Sequence, residues 1–512
     1  MQNSFSWIGN WAEKRSELSP EKIAVIDFPN KKKYTYFQLN IRANQCANLL
    51  LKHNIKKGDR VAVLSKNRLE LIDLFLATGK IGAILTPLNI RLSIRELEYL
   101  IQKTQPKILL YDHSCNEKAE DIKRKNSIEN FVNFDKEDNT ENSYTFLLNS
   151  ADKMFKRSWD ISFKDPHLIL FTGGTTGLPK GAVLSHKLIF WNSINTITSW
   201  GLYPNDIQPL LFPLFHTGGW NVLFVPFYHL GATTILMGDF NSEETLEVIS
   251  KEKCSIVIGV PTIFQMIAES KNFNSTSFDS VRIFISGGAP CPLSIMEKYW
   301  KRGKDFKMGY GLTEVGPNNF YLPEHDIHRK PLSVGFPVFH CDMKLVDDDN
   351  NIVGVNEVGE LCLRGPHVFS GYWNDHEETN KTIDPDGWIH TGDLARKDEE
   401  GFYYIIDRKK NMFISGGENI FPVEVEEALY SHPEVLEAIV FGVPDDKWGE
   451  VGVAAIATKT GREIPKEEIL EFLQDKLARY KQPKHFIFYK ELPKSAAGKI
   501  LRRELKNEYK PY

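Results

Sequence analysis

Short apolar runs alternate with stretches of helical periodicity in the part of the chain before Pro331. DRVAVLSKN is followed by RLELIDLFLATGKIG, which has helical spacing and ends in glycine, and then by GAILTPLN. The apolar runs recur as KILLYD, LILFTGG, TTILMGD, SIVIGVP and VRIFISGG. Strand–helix–strand alternation is the signature of parallel sheets covered by helices. We therefore predict an α/β fold in which mixed sheets are flanked by helices.

The pattern changes twice toward the C-terminus. After about Pro331, the runs DMKLVDDDNNIVG, GELCLRG and GFYYIIDRK predict strands joined by tight turns. From Asn411 onward, VEVEEALYSHP, EAIVFGVP and KEEILEFLQDKLARYKQP predict a compact α+β unit. We predict a large domain over 1–408, β-rich from about 331, and a small C-terminal domain over 409–512.

Composition excludes several classes of protein. Hydrophobic residues make up 42% and charged residues 25%, and the net charge is -4, so nothing indicates a nucleic-acid partner. The six cysteines lie far apart without zinc-site spacing, which predicts reduced, mainly buried thiols in a cytoplasmic protein. Neither a signal peptide nor a membrane span is predicted. Peripheral membrane contact stays open, as does the choice between monomer and homodimer.

The segment TGGTTGLPKG, from Thr172 to Gly181, follows the predicted strand LILF. Glycines let backbone N–H groups converge on an anion, while Thr175, Thr176 and Lys180 add hydroxyl donors and a positive charge. This combination indicates a polyphosphate site, although the Walker A pattern fails because proline precedes the lysine and glycine follows it. The alternative is a glycine-rich surface turn.

This loop resembles the phosphate-binding signature of the adenylate-forming superfamily, which includes acyl-CoA synthetases, luciferases and peptide-synthetase adenylation domains. Gly173 stands where serine is usual, so one hydroxyl contact is lost. The resemblance implies that Lys180 is catalytic and that Thr176 lies at a magnesium site. It also implies that the loop residues bind the phosphates of ATP: Thr172, Gly173, Gly174, Thr175, Thr176 and Gly177.

Two further segments resemble the nucleotide-binding loops of the same family. In ISGGAPCP, the backbone at Gly288, Ala289 and Pro290 would flank the adenine. In MGYGLTEVG, the resemblance implies that Tyr310 and Gly311 contact the adenine, that Thr313 contacts the α-phosphate and that Glu314 binds Mg2+. Met308 departs from the usual Gln or Asn. Taken alone, GLTEVG would indicate a helix N-terminus capped by Thr313.

The ribose site and the catalytic lysine are also implied by resemblance. In WIHTGDLARKDEEGFYYIIDRKKN, Asp393 and Arg408 match the residues that bind the ribose hydroxyls. LPKSAAGKIL matches the family's C-terminal motif, so Lys499 would be the mobile lysine of the adenylation half-reaction. Without the other motifs, all three residues would be interpreted as surface charges.

The C-terminal unit is similar to the mobile domain of acyl-CoA synthetases. Lys410 matches the hinge position of that family. A short loop at a hinge would absorb the backbone change between the two half-reactions. Gly416 and Gly417 would permit close approach of the pantetheine arm of coenzyme A, and Trp448 lies where the family meets the coenzyme A nucleotide. A simple β-turn is the alternative interpretation of the glycine pair.

The segment PLFHTGGWNVLF resembles the lining of the acyl site. His216 would lie near the acyl carboxylate, Trp220 would gate the tunnel, and Gly219 and Gly288 would leave room for the substrate. An apolar slot bounded by aromatic side chains favours a fatty or aryl acid. Core packing is the alternative for the tryptophan.

Together the motifs predict an ATP-dependent acyl-CoA ligase acting in two steps, with ATP, Mg2+ and coenzyme A as cofactors. Our first expectation for the acid is a medium- or long-chain fatty acid, and hence a role in lipid metabolism. An aryl acid of the succinylbenzoate type is the alternative, as is a stand-alone adenylation enzyme that loads a carrier protein. Glu314 and Lys499 argue against a third candidate, a non-catalytic nucleotide-binding protein.

Overall fold

The structure is a computed structural model that describes residues 5–126, 128–136, 140, 142–156, 160–173, 179–495 and 498–510. Its strands, numbered in chain order, are β1 (Ile23–Asp27), β2 (Lys32–Thr35), β3 (Arg60–Leu64), β4 (Ile84–Leu88), β5 (Ile108–Tyr111), β6 (Asn130–Asn133), β7 (Pro166–Thr172), β8 (Lys180–Ser185), β9 (Ile207–Leu210), β10 (Thr233–Leu236), β11 (Ile256–Gly259), β12 (Ile283–Ser286), β13 (Asp305–Met308), β14 (Phe320–Tyr321), β15 (Phe336–Pro337), β16 (Asp342–Val346), β17 (Val358–Arg364), β18 (Ile389–Lys397), β19 (Tyr403–Arg408), β20 (Phe413–Ser415), β21 (Glu418–Ile420), β22 (Val435–Asp445), β23 (Gly449–Thr458) and β24 (His485–Tyr489).

The α-helices are α1 (Trp11–Leu18), α2 (Tyr36–Lys52), α3 (Leu69–Ile81), α4 (Ile94–Thr104), α5 (Asn116–Lys125), α6 (Tyr144–Ser150), α7 (His186–Ser199), α8 (Phe224–Leu230), α9 (Ser242–Lys251), α10 (Pro261–Glu269), α11 (Leu293–Trp300), α12 (His376–Thr382), α13 (Pro422–Tyr430), α14 (Lys466–Gln474) and α15 (Arg502–Glu508). Short turns of 3-10 helix include Thr313–Val315, and Gly218–Val222 forms a π-helical turn.

Local sequence signals account for the limits of several helices. Helix α2 begins at a capping box, in which Thr35 and Gln38 each accept a hydrogen bond from the other's backbone N–H. Helix α3 ends at Gly82, whose φ of 69° is the left-handed conformation that glycine adopts without a Cβ clash. The helix predicted from RLELIDLFLATGKIG and its terminal glycine are therefore confirmed.

The predicted alternation yields several sheets. The largest has the order β6-β5-β3-β4-β7-β8 and is parallel except for β8, which runs antiparallel to β7. A second has the order β2-β1-β10-β9, and a third joins β11, β12 and β13 in parallel. The β-rich portion contains the antiparallel sheet β16-β17-β18-β19.

The last sheet, β21-β20-β23-β22 with β24 beside β23, is buried on both faces. Along β22, Ala438 and Val440 pack into one apolar cluster, whereas Ile439, Phe441 and Val443 pack into another. Successive side chains of a strand point to opposite faces, so the unbroken apolar run EAIVFGVP serves two layers. One layer contains α13 and α14, and the other contains Leu505 of α15.

Two simple predictions about the chain can be compared with the structure. All six cysteines are free thiols, and five of them are buried, as predicted. Among the helices of the described residues, none combines the length and the apolarity that a membrane crossing requires.

Candidate active site

The predicted adenine loops leave neighbouring strands at the same edge of the third sheet. Gly259, Ser286 and Met308 stand opposite one another at the carboxyl ends of β11, β12 and β13. The backbone continues the pairing beyond the strands, because the Gly309 N–H donates to the Ser286 carbonyl at 2.7 Å. Parallel strands present their carboxyl ends at one edge, so the segments after Ser286 and Met308 lie side by side. This edge is where α/β sheets bind ligands.

Lys499 reaches the same edge from the C-terminal end of the chain. A Cβ built on Gly288 would lie 3.5 Å from Lys499 Cε. The Thr262 hydroxyl donates to the Gly498 carbonyl at 3.3 Å, and the Lys499 N–H donates to Ser495 Oγ at 3.1 Å. These contacts bring Lys499 and Gly288, which the sequence analysis singled out separately, into one place.

The two predicted ribose residues face each other across β18 and β19. Arg408 Nε lies 3.4 Å from Asp393 Oδ1, and the Tyr310 hydroxyl donates to Asp393 Oδ2 at 2.6 Å. Burial raises the pKa of the Asp393 carboxyl, while the Arg408 charge and the tyrosine hydrogen bond oppose that rise. The structure therefore joins Tyr310, Asp393 and Arg408 into one group.

The charges of these residues act on Lys499. Burial contributes most to lowering the pKa of the Lys499 ammonium, the Arg408 charge adds to the decrease, and Asp393 and Glu314 oppose it; together these effects bring the pKa to about 8. A lysine held in this way is a cation at neutral pH that loses its proton more easily than an exposed one.

The backbone of the adenine loops is shaped by glycine and left accessible. A Cβ built on Gly311 would lie 2.1 Å from the Pro317 carbonyl oxygen, so any other residue would displace the chain. Gly288 and Pro290 are exposed, Ala289 is half-buried, and Thr313 is buried.

The predicted phosphate loop is flanked by two antiparallel strands. Thr172 at the end of β7 stands opposite Lys180 at the start of β8. Gly173 is exposed, and a Cβ built on it would have no neighbour within 4 Å. The remaining predicted phosphate ligands lie outside the described residues: Gly174, Thr175, Thr176 and Gly177.

The two charged residues beside the loop have partners that sequence reasoning missed. Lys180 forms an ion pair with Glu378, and the two side chains are 12% and 25% exposed. Glu314 Oε1 accepts hydrogen bonds from the Thr172 hydroxyl at 3.2 Å and from the Tyr372 hydroxyl at 2.9 Å. Tyr372 lies 58 residues from Glu314, and Glu378 lies 198 residues from Lys180. No local motif signals such distant partners.

His216 is half-buried, and its imidazole is neutral. Burial, and to a smaller extent the Lys499 charge, lower the pKa of its imidazole to about 4. His216 Nδ1 accepts a hydrogen bond from the Gly218 N–H at 3.1 Å. In a neutral imidazole the other nitrogen then carries the proton, so Nε2 is a donor.

The rest of the predicted acyl segment packs into the core. A Cβ built on Gly219 would lie 2.4 Å from the Pro213 carbonyl oxygen. Trp220 has no exposed surface; its indole N–H donates to the Leu214 carbonyl, and its ring stacks on Phe75 with centroids 4.8 Å apart. Packing is the observed role of Trp220 in this conformation, and its contact with the substrate stays a prediction.

The residues predicted to meet coenzyme A form a second group. Gly416 and Gly417 have φ values of 62° and 87° in the turn between β20 and β21. The Gly416 N–H donates to the Trp448 carbonyl at 2.8 Å, and the Trp448 side chain is 39% exposed. Lys410 lies in the short connection between β19 and β20.

Sequence and structure comparisons identify the family. The AMP-binding enzyme family matches residues 12–373, and the AMP-binding enzyme C-terminal domain matches residues 424–499. The chain belongs to the AMP-binding enzyme family. A feruloyl-CoA synthase from Amycolatopsis sp is 34% identical over 502 residues, covering 98% of this chain and 99% of that protein.

Comparison with solved structures also identifies CoA synthetases as similar proteins. The o-succinylbenzoate CoA synthetase of Bacillus subtilis, in complex with the acyl-adenylate intermediate OSB-AMP, matches with a TM-score of 0.87 at 29% identity, over 98% of this chain and 99% of that one. A Mycobacterium tuberculosis fatty acyl CoA synthetase matches with a TM-score of 0.77 at 30% identity, over 98% of both chains.

These relatives confirm several predictions. The resemblance to the adenylate-forming family is confirmed, and so is the α/β fold with a large N-terminal and a small C-terminal part. The enzyme class, an AMP-forming acid–thiol ligase, is confirmed together with its cofactor set of ATP, Mg2+ and coenzyme A. The roles of individual residues and the boundary between domains stay predictions.

Proposed function

We propose that this AMP-binding enzyme is an acyl-CoA ligase whose acid is an aryl acid rather than a fatty acid. The names of the feruloyl-CoA synthase and the succinylbenzoate synthetase support an aryl acid. The aryl alternative therefore replaces the fatty acid as our expectation.

The reaction has two steps that share one site. A carboxylate oxygen attacks the α-phosphorus of ATP, the bond to pyrophosphate breaks, and an acyl-adenylate forms. The sulfur of coenzyme A then attacks the acyl carbon, its proton is lost, and AMP leaves. The first step brings two anions together, so the site must supply fixed positive charge and donors.

Lys499 lies beside Gly288, Asp393 is bonded to Tyr310 near the same sheet edge, and Glu314 is close enough to act on the Lys499 charge. This convergence is the observation that carries the proposal. Lys499 would place its cation where the carboxylate meets the α-phosphate, next to the donors of the Thr172–Gly181 loop. Asp393 and Arg408 would bind the ribose hydroxyls, with Tyr310 against the adenine. His216 would donate from Nε2 to the acid's carboxylate, since its Nδ1 is occupied by Gly218.

The described residues suit a magnesium ion that comes with the nucleotide. Glu314 offers one carboxylate, and the described part of the chain contains no group of three or more metal-ligating side chains. Mg2+ is commonly held by one or two carboxylates, substrate phosphates and water. Bound to Glu314, and to Thr176 if the loop prediction holds, it would neutralise phosphate charge.

We also propose that 1–408 and 409–512 are domains that rearrange between the two steps about Lys410. The apolar clusters of the last sheet draw their buried members from residue 413 onward, which supports an independent core. Fixing the connection with Lys410→Pro should slow thioester formation while sparing adenylation. Lys409→Pro is unsuitable as a control because the Lys409 N–H donates to the Gly392 carbonyl, so Lys410→Ala is the matched variant.

A substrate screen tests the proposed function. The protein is incubated with ATP, Mg2+ and a panel of alkyl and aryl acids, with and without coenzyme A. Release of AMP and pyrophosphate is measured, and products are identified by mass spectrometry. We expect aryl acyl-CoA and AMP. Adenylate that accumulates without thioester would indicate the carrier-loading alternative, and failure of every acid to yield AMP would refute acid activation.

A further inference from the structure

Three buried asparagines form a group beside the candidate active site, which we call the amide cluster. Asn192 lies on α7, Asn221 in the π-helical turn, and Asn318 follows the Glu314 segment. Their exposed fractions are 0%, 0% and 1%. Buried amides are expensive unless every donor and acceptor is paired, so their hydrogen bonds can be followed atom by atom.

Backbone carbonyls fix the orientation of two of these amides. Asn192 Nδ2 donates to the Asn221 carbonyl at 2.6 Å, and Asn318 Nδ2 donates to the Val222 carbonyl at 2.8 Å. A carbonyl oxygen only accepts, so the nitrogen of each amide must face it. The amide oxygens therefore point away from these partners.

The three amide oxygens have no donor. Asn221 Nδ2 donates to the Thr217 hydroxyl at 3.2 Å, yet Oδ1 of Asn192, Asn221 and Asn318 has no hydrogen-bond partner among the described residues and no exposed surface. A network that served only to stabilise the fold would be expected to satisfy its acceptors. Unpaired acceptors on three side chains that bond to or lie in the same turn, Gly218–Val222, point to a partner that donates hydrogen bonds.

The cluster lies between the two segments that bracket the reacting atoms. Thr217, the partner of Asn221, directly follows His216, and Gly316 comes two residues after Glu314. A Cβ built on Gly316 would lie 2.7 Å from Asn192 Oδ1. Glycine at this position therefore lets the Asn192 side chain lie against the Glu314 segment. For an acid whose carboxyl group sits near His216 to reach these oxygens, which have no exposed surface, the buried wall between the two segments must open when the acid binds.

We infer that the acid carries a neutral hydrogen-bond donor, a hydroxyl or ring N–H, at the end remote from its carboxyl group, and that the amide cluster selects it. This rests on the proposed function. An alkyl tail would leave the oxygens unpaired, and a second carboxylate would be repelled by three oxygen dipoles. A site built to accept from a substrate hydroxyl discriminates strongly against analogues that lack it.

The wild-type enzyme provides the first test. Cinnamates and phenylacetates bearing a 4-hydroxyl, 4-methoxyl, 4-carboxyl or no substituent are compared by pyrophosphate release. We expect kcat/KM to be higher for the hydroxyl acids by roughly 10- to 100-fold per hydrogen bond. Equal use of unsubstituted or methoxyl acids, or preference for the carboxyl acids, would overturn this inference while leaving acid activation intact. Failure of all acids would instead refute the proposed function.

A substitution tests the cluster itself. Asn318→Leu should lower kcat/KM for the hydroxyl acid by the same factor, raise KM for that acid and leave KM for ATP unchanged. The matched control is Asn44→Leu, because Asn44 is also buried and donates to a backbone carbonyl, that of Lys153. Thermal melts identify a variant that fails to fold, in which case the wild-type comparison decides. Retained selectivity in folded Asn318→Leu would contradict the inference.

Discussion

The ribose side and the phosphate side of the candidate site differ in how their charges are used. On the ribose side, Asp393 is held by Tyr310 and Arg408 but keeps acceptor capacity, since each carboxylate oxygen can take more than one hydrogen bond. On the phosphate side, Lys180 is paired with Glu378. The predicted ribose side keeps acceptors available for a ligand, whereas the charges of the predicted phosphate side are satisfied within the protein.

This difference assigns separate tasks to the two sides. Ribose contacts can form without breaking protein contacts, so their full free energy contributes to ATP affinity. A phosphate contact of Lys180 must replace an existing ion pair, so only the difference contributes. We therefore expect substitutions on the ribose side to weaken ATP use and removal of Glu378 to strengthen it.

The largest effect should come from Lys499, the cation that meets the ribose side. Lys499→Ala should slow adenylation by roughly 100- to 1,000-fold, the usual loss for one preorganised donor. Thioester formation from preformed acyl-adenylate should be largely spared. Single-turnover assays of each half-reaction measure both, with Lys506→Ala on the exposed face of α15 as the control. Equal loss of both steps would show that Lys499 does not act in adenylation alone.

The acidity of Lys499 adds a pH dependence. Its pKa is lowered to about 8, so the cation is present below that pH and is lost as the pH rises through it. The kcat/KM of adenylation, which reports the free enzyme, should fall above about pH 8. Lys499→Arg should remove this alkaline limb if it retains activity, because the guanidinium stays protonated. An unchanged limb in that variant would assign the titration to another group.

Asp393 sharpens the comparison from the ribose side. Asp393→Asn should raise KM for ATP by roughly 10- to 100-fold, because it weakens the acceptor and leaves Arg408 without its partner. Assays with 2′-deoxy-ATP separate the two causes: wild type should discriminate against it, and the variant should do so less. The control is Asp398→Asn, because Asp398 directly follows β18 and its carboxylate pairs with Lys330. Undiminished discrimination in Asp393→Asn would remove Asp393 from the ribose site.

The sequence placed the two predicted ribose residues together but did not reveal the partners of the charges on the predicted phosphate side. Asp393 lies on β18 and Arg408 on β19, two adjacent strands joined by one turn, so a local motif contains both residues. Tyr372 and Glu378 reach Glu314 and Lys180 only through the packing of distant segments. For the same reason, apolar runs predicted the strands but not their partition into separate sheets, because pairing depends on long-range contacts.

Glu378 offers the opposite expectation for the phosphate side. Glu378→Gln should lower KM for ATP about fivefold, equivalent to the ~1 kcal/mol of a partly exposed ion pair that no longer competes for Lys180. Its neighbour Glu377→Gln is the matched control, since Glu377 pairs with exposed Lys381 on the same helix. A higher KM for ATP in Glu378→Gln would show that the ion pair positions Lys180 for phosphate instead of withholding it.

Gly173 should give the smallest effect. Serine is usual at this position in the family, and a Cβ here would meet no neighbour within 4 Å, so Gly173→Ser should fold normally. The added hydroxyl should raise the rate of pyrophosphate release about twofold if it donates to phosphate. Gly173→Ala separates this effect from loop stiffening, because alanine also reduces backbone freedom but adds no donor. An equal gain in both variants would assign the benefit to chain entropy, and the phosphate side would then depend on loop order more than on hydroxyl count.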